Sequence, residues 1–506
     1  MPEVLWTSDE IAAATGGEAT GAPFAVSGLG IDTRTLKAGE LFVALVGERD
    51  GHDYLDAAAD AGAAGALVFS PPLRGRRHHP LPCVRVDETL QGLQSLAAAA
   101  RDRSPAQRCA VTGSVGKTSV TQAIAAALKL AGPSHAPVKS FNNHIGVPLT
   151  LAALPCDARF AVFELGMNHA GEIGPLSRLV RPHVAVVTTV GPVHVENFPN
   201  GEIGVARAKA EVFEGLAPGG VAVLNADDTW FELLADTARA AGAKVLSFGR
   251  GASCDAQLIS FDREAPSTVS RSPSPREGGS GATDAPPLEE RAANPTEGAY
   301  IHARLHGRDL SFPIAQAGAH WGPNSLAVLL AVEALGAPVA CALQALATFT
   351  PLAGRGAARH VSVPGGEITL VDESYNANPV SMRAALDTLA KAPPRRLAVL
   401  TDMLELGPEA ARHHAELAEP IRLADITATY LAGPSMRHLH DALPQGRRGV
   451  WAYDAAELAP AVLAAVRPGD TVMVKGSNGS NAALIVKALV EAAPARGGLT
   501  PAGAQR

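Results

Sequence analysis

The sequence predicts an α/β protein in three parts: a small α/β unit over residues 1–107, a central doubly wound parallel sheet over 108–352, and a further α/β sheet over 353–506. Three observations carry this. Short apolar runs recur, each ending in a polar cluster and followed by a helix-forming stretch, the alternation that builds parallel sheets. One of them, Cys109-Ala110-Val111, enters a glycine-rich turn, Gly113-Ser114-Val115-Gly116-Lys117-Thr118-Ser119, and then the helix-forming run Val120 to Leu130. The chain is also long and apolar enough for several cores, with 506 residues, 47% hydrophobic and 18% charged.

The totals exclude some functions. A net charge of −7 gives no long-range attraction to nucleic acid or to an anionic membrane. The basic cluster Arg74 to His79 lies between proline-rich stretches and reads as a solvated loop. Five cysteines, Cys83, Cys109, Cys156, Cys254 and Cys341, lack metal-ligand spacing and suit a reducing cytosol better than a disulfide framework. The first residues have no basic region and no long apolar run, so no secretory signal is expected. Leu326 to Ala347 carries Glu333, Pro338 and Gln344, which fits a buried alanine-rich helix better than a membrane span.

In the first part, Ser8 is a candidate cap for a helix over Asp9 to Ala14. Strand-like runs bounded by turn residues follow in Gly28 to Arg34 and Gly39 to Leu45, a helical stretch over Asp50 to Ala63, and a strand at Ala66 to Phe69. Asp32, Arg34 and His52 stand beside strand ends, where loop and cap roles are ordinary.

The second part centres on the glycine-rich turn. Glycines let amides crowd round a phosphate, and the following helix presents its positive end to the same anion. Lys117 can neutralise outer phosphates and the Thr118 hydroxyl can ligate Mg²⁺. The loop is shorter than the common phosphate-binding spacing, whose first glycine would fall at Val111. Phe160 to Phe163 runs into Glu164, Val184 to Val187 into Thr188 and on to His194, and Val221 to Leu224 into Asn225. Ligands bind beyond the carboxyl ends of such strands, so Glu164, His194 and the loop should gather on one edge. Both side chains suit Mg²⁺ or Mn²⁺, and a cap or a satisfied polar group is the plain alternative for each. Lys209 lies in a helical run, where spacing gives no reason to single it out. Residues 255–298 are rich in Ser, Pro and Gly and cannot bury enough surface to offset their ordering entropy, so a disordered insertion is expected. Asn324 stands near a helix start, as a cap or as a reader of a base edge.

In the third part, Ile368 to Val371 ends in Asp372-Glu373-Ser374-Tyr375-Asn376, Leu397 to Leu400 in Thr401-Asp402, and Thr471 to Val474 in Lys475-Gly476-Ser477. A strand is also expected at Thr427 to Leu431, a second ligand-facing edge is implied, and the tail after Ala492 reads as frayed.

With these stretches laid out, the chain resembles the Mur ligase family over nearly its whole length. The resemblance rests on T-G-S-V-G-K-T-S at 112–119, F-N-N-H-I-G-V-P-L-T at 141–150, F-E-L-G-M-N-H-A-G-E-I at 163–173 and A-R-A-K-A-E-V-F at 206–213. It continues in D-E-S-Y-N-A-N-P at 372–379, D-M-L-E-L-G at 402–407 and K-G-S-N-G-S at 475–480. The Y-N-A-N-P string marks one branch of the family, and the Asp-Asn-Pro-Arg string of a sister branch is absent.

The resemblance implies a three-domain Mur ligase architecture, with a central P-loop sheet and a Rossmann-like C-terminal domain. It implies ATP-dependent amide ligation through an acyl phosphate, joining D-alanyl-D-alanine to a UDP-N-acetylmuramoyl-tripeptide. Asp32, Thr33, Arg34, Gly51 and His52 match stretches that hold the UDP end, and Asn142, Asn143 and His144 complete the implied substrate contacts. Gly113 to Ser119, Asn324, Arg355, Asp372, Tyr375 and Asn376 match nucleotide-binding positions. Thr118, Glu164, His194 and Lys209 match the ligands of two Mg²⁺ ions, with Lys209 carbamylated by CO₂. Where relatives often carry Gly, this chain has Thr401. A cytoplasmic monomer without nucleic-acid or membrane partners is expected. Another amide ligase of the same superfamily, a P-loop motor coupled to nucleic acid, and a non-catalytic nucleotide-binding module are the rival readings.

Overall fold

Each of the three α/β stretches forms its own main sheet, and the first adds a two-stranded one. The computed structural model describes residues 4–69, 81–137, 140–193, 195–262, 299–316, 318–350 and 353–492. The basic cluster, the bulk of the expected insertion and the tail after Ala492 fall outside the described residues, as does His194.

The first stretch has strands β1 (Trp6–Thr7), β2 (Glu18–Thr20), β3 (Ala25–Val26), β4 (Leu29–Gly30), β5 (Leu41–Val43), β6 (Gly65–Phe69) and β7 (Cys83–Val86). β1 pairs with β3, and the others form a sheet in the order β2-β7-β6-β5-β4. The first helix spans Ser8–Thr15, and its cap is Thr7 rather than Ser8. Thr7 accepts from the Glu10 amide while Glu10 reaches back to the Thr7 amide, a reciprocal box that Ser8 is one residue too late to make. The expected helix at 50–63 is shorter, a single tight turn at Gly51–Tyr54 followed by Leu55–Asp60.

The central sheet contains β8 (Gln107–Thr112), β9 (Ser134–His135), β10 (Phe160–Glu164), β11 (Val184–Val187), β12 (Val221–Asn225), β13 (Lys244–Gly249), β14 (Ala256–Asp262), β15 (Ala299–Leu305) and β16 (Arg308–Ile314). Their order is β16-β15-β14-β13-β12-β11-β8-β10-β9. From β9 to β14 the sheet is parallel, as predicted, but β14, β15 and β16 pair antiparallel. That is a correction to an all-parallel sheet, and a second follows from it. Residues 256–262, assigned to a disordered insertion, form β14, because Leu258 is buried and the backbone pairs with β15. The strands of the parallel part are buried on both faces at their centres, which is why Cys109 to Val111 in β8 and Phe160 to Phe163 in β10 read as apolar runs. β8 lies between β10 and β11, so the chain turns to opposite sides there and a crevice opens at its carboxyl end.

The alanine-rich run expected as one helix over 326–347 is two, Trp321–Ala334 and Val339–Thr348. Gly336, at φ +76°, and Pro338, which cannot donate an amide, break it. Among the described residues no helix is long and apolar enough to cross a membrane.

The third stretch contains β17 (Ala357–Val363), β18 (Gly366–Glu373), β19 (Arg396–Thr401), β20 (Ala428–Ala432), β21 (Arg448–Ala452) and β22 (Thr471–Lys475), in the order β17-β18-β22-β19-β20-β21. All neighbours are parallel except β17 and β18. The edge strands β17 and β21 were not predicted, since exposed residues interrupt their apolar pattern.

Candidate active site

The site begins at the carboxyl end of β8. Gly113 takes φ +146°, and a Cβ there would lie 2.0 Å from Thr188 Oγ1, so a side chain has no room. The Thr188 hydroxyl donates to the Val115 carbonyl at 2.6 Å. The Ser114 amide donates to the Thr189 carbonyl at 2.7 Å, and its hydroxyl exchanges bonds with Gly191. Residues after β11 therefore fix the shape of the loop. Gly116, at φ +86°, caps the helix Lys117–Ala131 in a left-handed conformation. The amide of Asn324 packs 3.3 Å from where a Gly116 Cβ would sit. Asn324 is buried within the first turns of its helix rather than capping it.

Ser114 to Ser119 line a cavity of about 420 Å³. Ser140, Asn142, Glu164, Asn324, Arg355, Glu373, Tyr375, Asn376 and Lys475 line it too. Two sheets thus supply one pocket.

Lys117 Nζ bonds to the Gly113 carbonyl at 2.6 Å. Burial lowers its pKa, the Glu164 carboxylate opposes that, and Arg355 adds to it. Glu164, 2% exposed at the end of β10, accepts from Asn142 Nδ2 at 2.7 Å. The Thr118 hydroxyl lies 3.1 Å from that of Ser140, which accepts from Arg355 at 3.2 Å. The Arg355 guanidinium stacks 4.1 Å above the Tyr375 ring.

Lys209 is buried in the helix Glu202–Ala210 and does not line the cavity. Burial pushes its amine well below the ordinary lysine range, Lys117 pushes the same way, and Asp228 opposes. Asp228 is itself held by the Thr189 hydroxyl at 2.9 Å and the Val190 amide at 2.6 Å.

Glu164 and Thr118 present hard oxygens to one cavity, a donor set that fits Mg²⁺. Among the described residues no group of three or more His, Cys, Asp or Glu side chains could hold a metal. Mg²⁺ is commonly held by one or two carboxylates together with substrate phosphates.

Not every expected residue joins this site. Asp372 does not line the cavity; its carboxylate accepts from the Ser374 hydroxyl at 2.6 Å and the Ser374 amide at 3.2 Å. Its neighbour Glu373 lines the cavity instead, because successive side chains on a strand point to opposite faces. Asn143 and His144 line a separate cavity with Arg101 and Arg178, and Asn143 Oδ1 also accepts from the Gly146 amide at 2.9 Å. Asp32 and Arg34 pair with each other at 2.7 Å, with the Arg34 side chain 86% exposed. His52 accepts from the Phe69 amide through Nε2 at 2.9 Å, which leaves Nδ1 to donate to Asp50 at 2.6 Å. Asp32, Thr33, Arg34, Gly51 and His52 line neither cavity.

Sequence reasoning missed Ser140, Glu373 and Lys475. Lys475 and Glu373 both stand in motifs of the sequence at the very ends of strands, a signal that could have found them. Ser140 carries no such signal.

The chain is similar to known proteins over nearly its whole length. Residues 111–332 match the Mur ligase middle domain, and residues 359–478 match the Mur ligase glutamate ligase domain. The chain is 33% identical to the UDP-N-acetylmuramoyl-tripeptide–D-alanyl-D-alanine ligase of Escherichia coli, over 94% of this chain and 96% of that one. It is 30% identical to the ligase of the same name from Bacillus subtilis, over 92% and 93%. MurF from Acinetobacter baumannii has the same fold, with a TM-score of 0.78 at 24% identity, covering 97% of this chain and 100% of that one. So does MurF from Thermotoga maritima, solved in complex with ADP, with a TM-score of 0.71 at 21% identity, covering 92% and 97%.

Proposed function

The chain belongs to the Mur ligase family, and we infer that it is the ATP-dependent ligase joining D-alanyl-D-alanine to UDP-N-acetylmuramoyl-tripeptide in peptidoglycan precursor synthesis. The observation that carries this is one cavity shared by a phosphate loop, a buried acid and cationic groups from a second sheet.

The tripeptide's terminal carboxylate attacks the γ-phosphorus of ATP, forming an acyl phosphate and releasing ADP. The free amine of D-alanyl-D-alanine attacks the acyl carbon, its nitrogen loses a proton, and phosphate leaves with the C–O bond pair. A carboxylate approaching a polyanion is repelled, so the site has to lower negative charge along the line of attack. The amides of Ser114 to Lys117 and the positive end of the helix Lys117–Ala131 face the phosphates. Lys117 swings from its loop carbonyl to the outer phosphates. Arg355 and Glu373 meet the nucleotide from the second sheet, with Tyr375 and Asn376 beside them. Thr118, Glu164 and His194 are the residues that would hold Mg²⁺, which would supply further charge neutralisation. Burial lowers the pKa of the Lys209 amine, which favours its reaction with CO₂; the carbamate, formed with loss of a proton, would help hold a second ion. The acyl phosphate hydrolyses readily, so the two sheets closing on the cavity serve to exclude water.

In this reading residues 1–107 hold the UDP end through Asp32, Thr33, Arg34, Gly51 and His52. Residues 108–352 bind ATP, residues 353–506 form the closing domain, and Asn142, Asn143 and His144 contact the muramoyl peptide. The enzyme works as a cytoplasmic monomer. Phosphate release measured with UDP-N-acetylmuramoyl-tripeptide and D-alanyl-D-alanine, together and separately, tests it. Turnover requires both. Turnover with folate and glutamate, or with DNA and no dipeptide, would overturn the reading.

A further inference from the structure

We propose that Lys475 is a positioning residue for the nucleotide, clamping Glu373 and the loop that carries Tyr375 and Asn376 into the shape that receives ATP. The proposal rests on the ligase reading above.

Lys475 ends β22, and its register partner on β18 is Glu373. The two side chains therefore leave neighbouring strand ends together. The Lys475 side chain is 3% exposed. Its ammonium donates to Glu373 Oε2 at 3.2 Å and to the Asn376 carbonyl at 2.9 Å. The other carboxylate oxygen, Glu373 Oε1, packs 3.1 Å from where a Cβ on Gly356 would sit, one residue beyond Arg355. One buried cation thus fixes the orientation of an acid in the cavity wall. It also ties down the turn from which Tyr375 meets Arg355.

Two consequences follow. A free ammonium in this position would attract phosphate, but this one is already bonded to an acid and a carbonyl, so its part is orientation. Removing it takes from Glu373, whose side chain is 21% exposed, its ion-pair partner beside a polyanionic substrate. Leaving one member of a partly shielded pair without its partner costs more than losing the pair as a whole.

That asymmetry gives the test. Binding of a non-hydrolysable ATP analogue with Mg²⁺ is measured by calorimetry on the full chain, for wild type, Lys475→Met, Lys475→Arg, Glu373→Gln and the Lys475→Met/Glu373→Gln double variant. KM values for ATP and for D-alanyl-D-alanine are measured alongside. Lys475→Met should weaken the analogue about tenfold, the scale of one charge-assisted hydrogen bond. Lys475→Arg should recover most of that. The double variant should bind no worse than Glu373→Gln alone, an outcome that general loosening of the fold would not produce. The proposal is overturned if Lys475→Met binds the analogue like wild type, or if its defect is confined to the KM for D-alanyl-D-alanine, which would make Lys475 a receptor for the dipeptide carboxylate. Should Lys475→Met fail to fold by circular dichroism, Lys475→Arg and Glu373→Gln decide: unchanged binding in Glu373→Gln sinks the clamp. A wild-type chain that does not bind the analogue at all overturns the ligase reading and this inference together, whereas wild-type binding with no loss in the variants overturns only the clamp.

Discussion

Beyond the ends of β8 and β10, Lys117, Thr118 and Glu164 face one cavity and meet residues from a second sheet. Beyond the ends of β4 and β5, Asp32 and Arg34 bond to each other, and both ring nitrogens of His52 are engaged by Asp50 and the Phe69 amide. The local pattern is the same in both places: an apolar strand, then a turn of polar residues. The difference lies in what comes to meet that turn. The central crevice is walled by β11 on one side, β10 on the other and the C-terminal sheet opposite, so its polar groups converge from distant segments. The first sheet's polar groups find partners within a few residues or on a neighbouring strand. Polar residues after strands thus converge from distant segments in the central crevice, whereas in the first sheet their partners are close in sequence or on a neighbouring strand.

The largest effects should come from the central crevice. Lys209→Ala should reduce turnover to background while circular dichroism stays unchanged, and added formate or acetate should restore part of it by standing in for the carbamate. Full activity without any additive would remove that role. Lys117→Ala should lower kcat/KM more than about a thousandfold, the scale of losing a preorganised partner of transition-state charge. Near-normal turnover in the folded variant would leave the two regions equivalent and break the contrast.

A finer test compares adjacent acids on one strand. Glu373→Gln should raise the KM for ATP about tenfold, whereas Asp372→Asn should change it less than about twofold and show its effect as a lower Tm, because Asp372 serves Ser374. The reverse order would mean that the strand end turns over when substrate binds.

The smallest effect belongs to the first sheet. Arg34→Ala should raise the KM for the UDP substrate by no more than about fivefold, with kcat, the KM for ATP and Tm unchanged, as befits an exposed ion pair. A fall in kcat as large as that of Lys117→Ala would move Arg34 into the chemistry.

Much of this molecule is legible in its sequence. Parallel strands buried on both faces announce themselves as apolar runs, and Gly113 to Thr118 announces a phosphate-binding turn, because the backbone there tolerates little but glycine at two positions. Short strands over His302 to Phe312 are legible as well, since β15 and β16 alternate polar and apolar residues. Their antiparallel pairing was hidden, and β14 adjoins a polar tract whose composition drew the boundary in the wrong place. The first helix cap was misplaced by one residue because Thr7 and Ser8 are both good caps, and only the reciprocal bond to Glu10 separates them.

Sequence alone determined the three sheets, the turn that ends β8 and the family to which the motifs belong, since periodicity, glycine placement and motif order are local properties of the chain. Tertiary structure decided which polar residues share a cavity. It chose Glu373 over Asp372, where a period of two makes a single step along the strand reverse the direction of a side chain. It brought Arg355 to Ser140 across 215 residues and joined Lys475 to Glu373 across 102. Such pairings depend on how separate sheets pack, and packing is set by surfaces that no short stretch of sequence contains.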